Sequence, residues 1–118
     1  MTIRYVAVVA FLCALVAAVA IGSMPARGGR LHSASTHPAL VICDVFGQRF
    51  CLEALEVAWC ESRFSTEARN GQYLGLFQMG SSERRRYGHG HGSWSQARAA
   101  KRYFVASGRT WGPWSCKP

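Results

Sequence analysis

The sequence predicts a small, mainly α-helical domain of the α+β kind, stapled by disulfide bonds and carrying at most a vestigial β-hairpin. Three observations predict it. The chain has only 118 residues, which excludes a two-domain enzyme and a doubly wound nucleotide-binding fold. Helical periodicity dominates the part rich in Trp, Phe, Tyr and Leu, a composition that argues against disorder. An even set of four cysteines follows the apolar start, which indicates two structural disulfides.

Residues 1–25 are predicted to be a secretory signal peptide. Arg4 supplies the positive start, residues 6–22 form an uncharged apolar run, and Ala18-Val19-Ala20 is a small-residue cleavage box. The run is long enough that an uncleaved membrane anchor is the alternative. Residues 26–39, rich in Gly, Ser, Pro, Arg and His, are predicted to be a flexible linker, and residues 40–118 the folded domain. We therefore expect a secreted or cell-envelope protein.

Three helices and one turn are predicted within the folded domain. The first helix covers about residues 48–64 and is apolar nearly all round, so we expect it to be central and buried. The second starts at residue 81 or 82 and ends at 87–88. The third runs from a serine cap at 93 or 95 to Gly108, with Ala97, Ala100 and Phe104 facing inward. Asn70-Gly71 is a turn signal that predicts a small hairpin.

The first helix restricts how the four cysteines Cys43, Cys51, Cys60 and Cys116 pair. Cys51 and Cys60 lie nine residues apart on it, so their Cα atoms are separated by about 13 Å along the axis. No disulfide spans that distance, which excludes this pair. Of the two remaining pairings we favour Cys43–Cys51, a short local loop, with Cys60–Cys116. That pairing places the Trp-rich C-terminal tail beside Glu61.

Glu61 is the chemically unusual residue of the first helix. Periodicity places it on the same side as Val57 and Phe64, where burial favours the protonated form of a carboxylic acid. A neutral acid is what protonation of a leaving oxygen requires. The alternative is a solvated glutamate near a helix end, paired with a nearby arginine. Glu53 and Glu56 point away from this side and are interpreted as ordinary solvated charges.

Short motifs around Glu61 carry a family resemblance. They are Ala58-Trp59-Cys60-Glu61-Ser62-Arg63-Phe64, Ala68-Arg69-Asn70, Gly75-Leu76-Phe77-Gln78-Met79, Tyr87-Gly88 and Trp111-Gly112-Pro113-Trp114-Ser115-Cys116. Glu-Ser at a helix end, followed by Ala-x-Asn and Gly-Leu-Phe-Gln, resembles the signature of the lysozyme-like superfamily. The specific resemblance is to the soluble lytic transglycosylase domain and its small secreted relatives of actinobacterial type. It covers roughly residues 40–118.

The resemblance implies roles for individual residues. Glu61 matches the catalytic acid, and Ser62 matches the serine beside it, which is expected to orient the site and to contact the substrate. Gln78 matches the cleft-lining segment and is the expected contact to a sugar N-acetyl or hydroxyl group. The common Ala-Tyr-Asn motif of the family is absent, and Tyr103 is the residue that takes the place of its tyrosine. Leu76, Phe77 and Met79 are expected to pack in the core.

The scarcity of acidic residues favours lytic transglycosylation over hydrolysis. Hydrolysis of a glycosidic bond normally uses two carboxylates, but Asp44, Glu67 and Glu83 lie in no motif that suggests a second catalytic role. The resemblance implies that a single Glu serves as acid and then base on the MurNAc–GlcNAc β-1,4 bond of peptidoglycan. A lysozyme-type hydrolase of the same bond and a non-catalytic peptidoglycan-binding module are the alternatives.

Charge and the remaining motifs indicate the partners. From Arg27 onward the chain has 13 basic and 6 acidic residues, which favours anionic cell-envelope polymers. No nucleic-acid fold signature accompanies the arginine run at 84–86, so nucleic acid is not expected. His89-Gly90-His91 offers too few ligands for a metal, and neither metal nor cofactor is expected.

Trp94, Trp111 and Trp114 are candidates to stack on sugar rings, with packing in the core or at its rim as the alternative for each. Trp111 is the favoured candidate, because the Cys60–Cys116 bond would draw its segment towards Glu61. A monomer is expected.

Overall fold

A computed structural model describes residues 36–118, and the predicted signal peptide and most of the predicted linker lie outside them. Within the described part, the elements in chain order are helix α1 (Pro38–Phe46), helix α2 (Cys51–Ser62), strands β1 (Arg69–Asn70) and β2 (Tyr73–Leu74), helix α3 (Ser81–Tyr87) and helix α4 (Ser93–Ala106). The predicted class, mainly α with a minor hairpin and two disulfides, is confirmed. Among residues 36–118 no helix has the length and apolar character needed to cross a bilayer.

Helix α1 was not predicted. It begins at Pro38, inside the segment interpreted as a linker, because proline at the first helical position loses no hydrogen bond there. Val41, Ile42 and Phe46 turn inward and are fully or almost fully buried. The helix ends at Gly47, which has a φ of 74° and donates its backbone N–H to the Cys43 carbonyl. A short helix between a proline and a glycine gives little periodic signal.

Helix α2 lies within the predicted range of about 48–64 but is shorter, Cys51–Ser62, and the expectation that it is central and buried nearly all round is wrong. Only Ala54, Val57 and Ala58 are buried on it. Leu52 is 73% exposed and Trp59 is 48% exposed. Helix α1 covers one side of α2, and among residues 36–118 no other helix or strand packs against α2 to a comparable extent. The apolar outer side of the helix therefore faces solvent.

The core is an aromatic cluster between α1, α4 and the C-terminal segment. The ring of Phe46 lies 5.6 Å from that of Phe77, 5.8 Å from Phe104 and 5.5 Å from Trp111, measured between centroids. Helix α4 contributes the predicted inward stripe, since its Ala97, Ala100 and Phe104 are buried. Its N-cap is Gly92 rather than a serine, and no side chain caps it. Small alanines allow α4 to lie close to α1.

The hairpin and the disulfides follow the sequence closely. Arg69 pairs with Leu74 and Asn70 with Tyr73 in an antiparallel ladder, and Gly71 in the turn has a φ of 58°. Helix α3 has the predicted limits and ends at Gly88. The disulfides are Cys43–Cys51 and Cys60–Cys116, so the favoured pairing is confirmed. Disulfides form and persist in oxidising compartments, which indicates a protein that works outside the cytoplasm.

Candidate active site

A cleft of about 470 Å³ lies between the end of α2 and the hairpin region. Its lining residues come from separate parts of the chain: Glu61, Ala68, Arg69, Asn70, Tyr73, Gln78, Met79, Gly80, Glu83, Tyr103, Pro113, Trp114 and Ser115. We call the part formed by Glu61 and residues 113–115 the stapled wall. The part formed by residues 68–83 is the loop wall. The cleft unites three of the five predicted site residues, namely Glu61, Gln78 and Tyr103.

Glu61 lies in the last turn of α2 and is half-buried in the stapled wall. Its Oε1 accepts the backbone N–H of Cys116 at 2.9 Å. Cys116 is itself bonded to Cys60, the residue before Glu61. The residue that donates to the Glu61 carboxyl group is therefore covalently linked to the residue that precedes Glu61. This arrangement keeps one oxygen engaged with the protein while the group borders the cleft.

Ser62 does not line the cleft. Its hydroxyl donates to the carbonyl of Leu76 at 2.8 Å and to that of Ala58 at 3.2 Å, within its own helix. The first bond ties the end of α2 to the segment that resembles the cleft-lining motif. The orienting role of Ser62 stays a prediction, while its assignment as a substrate contact does not match its position outside the cleft lining.

Gln78 borders the cleft in a left-handed backbone conformation, with a φ of 42°. Its amide nitrogen donates to the carbonyl of Ala68 at 2.9 Å and to that of Gly75 at 3.1 Å. The side chain therefore closes the hairpin region onto itself. Two bonds to the backbone fix the orientation of the amide at the cleft edge, which is a requirement for selective contact with a polar ligand.

Tyr103 comes from α4 and also lines the cleft. Its ring lies 5.0 Å from that of Trp114 and 5.1 Å from that of Tyr87, between centroids. Burial raises the pKa of the Tyr103 phenol, and the negative charge of Glu83 and the neighbouring Tyr87 raise it further. The hydroxyl thus remains protonated, and able to donate a hydrogen bond, across the neutral range.

The structure places Trp111 in the core rather than in the cleft, contrary to its predicted sugar-stacking role. It is 6% exposed and packs 4.6 Å from the ring of Phe104. Its Nε1 donates to Glu53 Oε2 at 2.8 Å. The interpretation of Glu53 as an ordinary solvated charge is therefore wrong as well. Trp114, three residues later, is the tryptophan that borders the cleft.

Glu83 is a cleft residue that sequence reasoning missed. It lies in the first turn of α3, and its carboxylate borders the same cleft as Glu61. Ser82 Oγ donates to its Oε1 at 2.9 Å. Its Oε2 lies against Gly80, at 2.6 Å from the position that a Cβ on that glycine would take. A signal was present in the sequence, because Glu83 follows the cleft-lining motif by only four residues after Met79.

Gln96 supports the loop wall from behind and was not predicted either. It is 1% exposed on α4. Its Oε1 accepts the backbone N–H of Leu76 at 2.9 Å, and its Nε2 donates to the Thr66 carbonyl at 3.0 Å. Gly75 has a φ of 85° and leaves no room for a Cβ, which would lie 2.4 Å from Gln96 Oε1. A buried amide with three backbone partners, counting the His91 carbonyl at 3.2 Å, fixes this loop.

The remaining polar clusters lie away from the cleft. His89 and His91 line a separate hollow of about 270 Å³ with Arg84 and Arg85. Among residues 36–118 there is no group of three or more His, Cys, Asp or Glu side chains placed to hold a metal ion. Among the described residues, the cleft offers two carboxyl groups, two phenols, the amides of Asn70 and Gln78, the Ser115 hydroxyl and the Arg69 guanidinium.

No protein-family model, curated protein or solved structure matches this chain. The resemblance to the lysozyme-like superfamily consequently remains an interpretation of its motifs. The function has to be argued from the cleft and from the residues that line it.

Proposed function

We propose that this protein is an exported peptidoglycan glycosidase, a lytic transglycosylase that cleaves the MurNAc–GlcNAc β-1,4 bond with Glu61 as acid and base. The observation that carries the proposal is the position of Glu61. This carboxyl group borders a cleft while its Oε1 is held by the Cys116 N–H. A fixed carboxyl group that a polymer can approach is the minimum that glycosidic cleavage requires.

The proposed reaction needs only one carboxyl group. Glu61 donates its proton to the glycosidic oxygen, and the bond between this oxygen and C1 breaks with its electron pair going to the oxygen. The Glu61 carboxylate then takes the proton of the muramyl C6 hydroxyl, whose oxygen bonds to C1. The products are a free GlcNAc hydroxyl and a 1,6-anhydro end. Glu61 ends the cycle protonated, and no water is consumed.

The shape and chemistry of the cleft support a glycan as the ligand. Its volume of about 470 Å³ falls within the usual range of about 300 to 1,000 Å³ for ligand pockets. Asn70, Gln78 and Tyr103 supply polar groups, and Tyr73, which is 45% exposed, supplies aromatic surface. Trp114 also lines the cleft but is only 6% exposed. Neutral sugars are bound by such a mixture of hydrogen-bonding groups and aromatic faces, because their rings carry hydroxyl groups at the edge and C–H groups on the face.

Charge and disulfides support the location of the substrate. The full chain carries a formal net charge of +8, and Arg69 borders the cleft. A cationic surface is attracted to anionic polymers of the cell envelope by long-range forces that salt weakens. The two disulfides suit an oxidising location. The proposal includes export of the protein, directed by a signal peptide at residues 1–25.

Hydrolysis of the same bond is the second candidate, and Glu83 favours it. The preference for transglycosylation rested on the lack of a second acidic residue with a suitable place. Glu83 borders the same cleft as Glu61. Two carboxyl groups in one cleft are the usual equipment of a hydrolase.

The test uses the exported protein, in which the residues that follow the signal peptide still precede residues 40–118. This protein is incubated with purified peptidoglycan. We expect soluble muropeptides from the wild type and a loss of at least about 100-fold in their rate of release in Glu61→Gln. Glu56→Gln removes the same charge from an exposed site on α2 and is the matched control. Equal activity in Glu61→Gln would refute the assignment of the acid. Binding to cell walls without release of fragments would instead indicate the non-catalytic module.

A further inference from the structure

Glu83 is a second carboxyl group in the cleft that Glu61 lines. Glu83 lies on the loop wall and Glu61 on the stapled wall of one cleft. The Oε1 of Glu83 is occupied by the Ser82 hydroxyl, whereas its Oε2 lies over Gly80, which itself lines the cleft. Gly80 has no side chain to cover that oxygen. One oxygen of Glu83 therefore accepts a hydrogen bond from Ser82, and the other lies beside Gly80 at the edge of the cleft.

Among residues 36–118, the acidic residues other than Glu61 and Glu83 do not line the cleft. Asp44 lines a different groove with Trp94 and Arg98. Glu53 accepts the Trp111 indole N–H behind the cleft. Glu67 accepts the hydroxyl of Thr66 at the surface and does not line the cleft. Glu83 is thus the acidic residue that shares the cleft with Glu61.

We propose that Glu83 is a second catalytic residue, a base that activates water and thereby sets how much substrate is hydrolysed instead of converted to the 1,6-anhydro product. The inference rests on the proposed glycosidase function. Water activated by Glu83 and the muramyl C6 hydroxyl deprotonated by Glu61 compete for the same C1 atom. The ratio of the two products therefore reports on Glu83, while the total cleavage reports on Glu61.

The hydrolytic step needs no reactant other than the glycan and one water molecule. Glu61 gives its proton to the glycosidic oxygen, and the C1–O bond breaks with the electron pair going to that oxygen. A water oxygen bonds to C1 while its proton goes to the Oε2 of Glu83. The product is a reducing end that carries the oxygen of water, and proton exchange with solvent restores both carboxyl groups.

The experiment is digestion of peptidoglycan in water enriched in ¹⁸O, with the fragments analysed by mass. Hydrolysed ends acquire the heavy oxygen, whereas anhydro ends do not. The variants are Glu83→Gln, which keeps the size of the side chain, and Gly80→Ala, whose Cβ would lie 2.6 Å from the Glu83 Oε2 and displace it. Gly80 has a φ of −68°, which alanine adopts freely. Glu56→Gln is again the charge-matched control, and thermal unfolding checks that each variant is folded.

We expect labelled and anhydro ends from the wild type. The labelled fraction should fall at least about tenfold in Glu83→Gln and should also fall in Gly80→Ala, with anhydro ends still formed. An unchanged labelled fraction in both folded variants overturns the inference, and so does an equal loss of both products or a wild type that yields anhydro ends alone. No fragments from the wild type, or full cleavage by Glu61→Gln, overturns the proposed function itself and the inference with it.

Discussion

The two walls of the cleft are built in different ways. The stapled wall contains the Cys60–Cys116 disulfide, and the Cys116 N–H donates a hydrogen bond to the Glu61 carboxyl group. The loop wall is anchored by the buried Leu76, Phe77 and Met79 and by the Leu76 N–H, which donates to Gln96 Oε1. It ends in the first turn of helix α3, on which no residue is buried. The comparison teaches that the proposed acid lies beside a covalent cross-link, whereas Glu83 lies on a short helix without one and without a buried residue.

Removal of the Cys60–Cys116 disulfide should have the largest effect. The bond joins residues 56 apart, against 8 for Cys43–Cys51. Loop-closure entropy predicts a loss of about 4 kcal/mol in the free energy of unfolding for the Cys60→Ala, Cys116→Ala double variant. For the Cys43→Ala, Cys51→Ala variant it predicts about 2.5 kcal/mol.

Urea unfolding of both double variants measures these values. Cleavage of peptidoglycan should decline more in the first variant than in the second at a temperature where both are folded, because only the first frees the stapled wall. A smaller loss for Cys60–Cys116 than for Cys43–Cys51 would show that the C-terminal segment is held mainly by its tryptophans.

Gly75→Ala should weaken the loop wall by an intermediate amount. The glycine has a φ of 85°, and a Cβ there would lie 2.4 Å from Gln96 Oε1. We expect a loss of about 2 to 4 kcal/mol, from backbone strain and from displacement of a buried hydrogen-bonded amide. Thermal or urea unfolding measures it.

Gly71→Ala is the matched control for that substitution. Gly71 also has a positive φ, of 58°, but nothing lies within 4 Å of its Cβ position. Strain alone should therefore act, at about 1 kcal/mol. Equal losses at the two glycines would mean that Gln96 moves aside without cost, and that the loop wall does not depend on it.

The sequence was sufficient where a local rule decides the structure. The rise per residue of an α-helix excluded Cys51–Cys60, and the Asn70-Gly71 signal located the hairpin. It was insufficient where distant segments meet. Trp111 and Trp114 are three residues apart and both belong to the core with equal exposure, and only the packing of the C-terminal segment determines that Trp114 also lines the cleft.

The same limit applies to polar residues. A glutamine within a helix is usually exposed, so nothing in the pattern marks Gln96 as the buried support of the loop wall. Glu83 enters the cleft because α3 packs against α4, a contact between elements that periodicity does not describe. The functional roles of Glu61, Gln78 and Tyr103 remain predictions, although the structure does bring these three residues to one cleft.

A mild loss of stability in acid should be the smallest of these effects, and it should arise at the loop wall. Burial lowers the pKa of the His89 imidazole below its ordinary value of 6.5, and the positive charges of Arg84 and His91 act in the same direction. Hydrogen bonds to the carbonyls of His89 itself and Leu74 oppose the shift. The His89 ring lies against Gly75, with Nε2 at 2.9 Å from the Cβ position of that glycine.

The sign of the pH dependence follows from linkage. Because the folded protein binds the proton at His89 less readily than the unfolded chain does, stability is complete above pH 6.5 and declines as the pH falls through the lowered pKa. Urea unfolding between pH 7 and about pH 5 should show this decline, and His89→Gln should flatten it. Replacement of the exposed His91 by glutamine should leave most of it in place. If His91→Gln flattens the profile as much as His89→Gln, the loss of stability in acid arises from surface charge and not from the partly buried His89 beside the loop wall. Acid would then not distinguish the loop wall from the stapled wall.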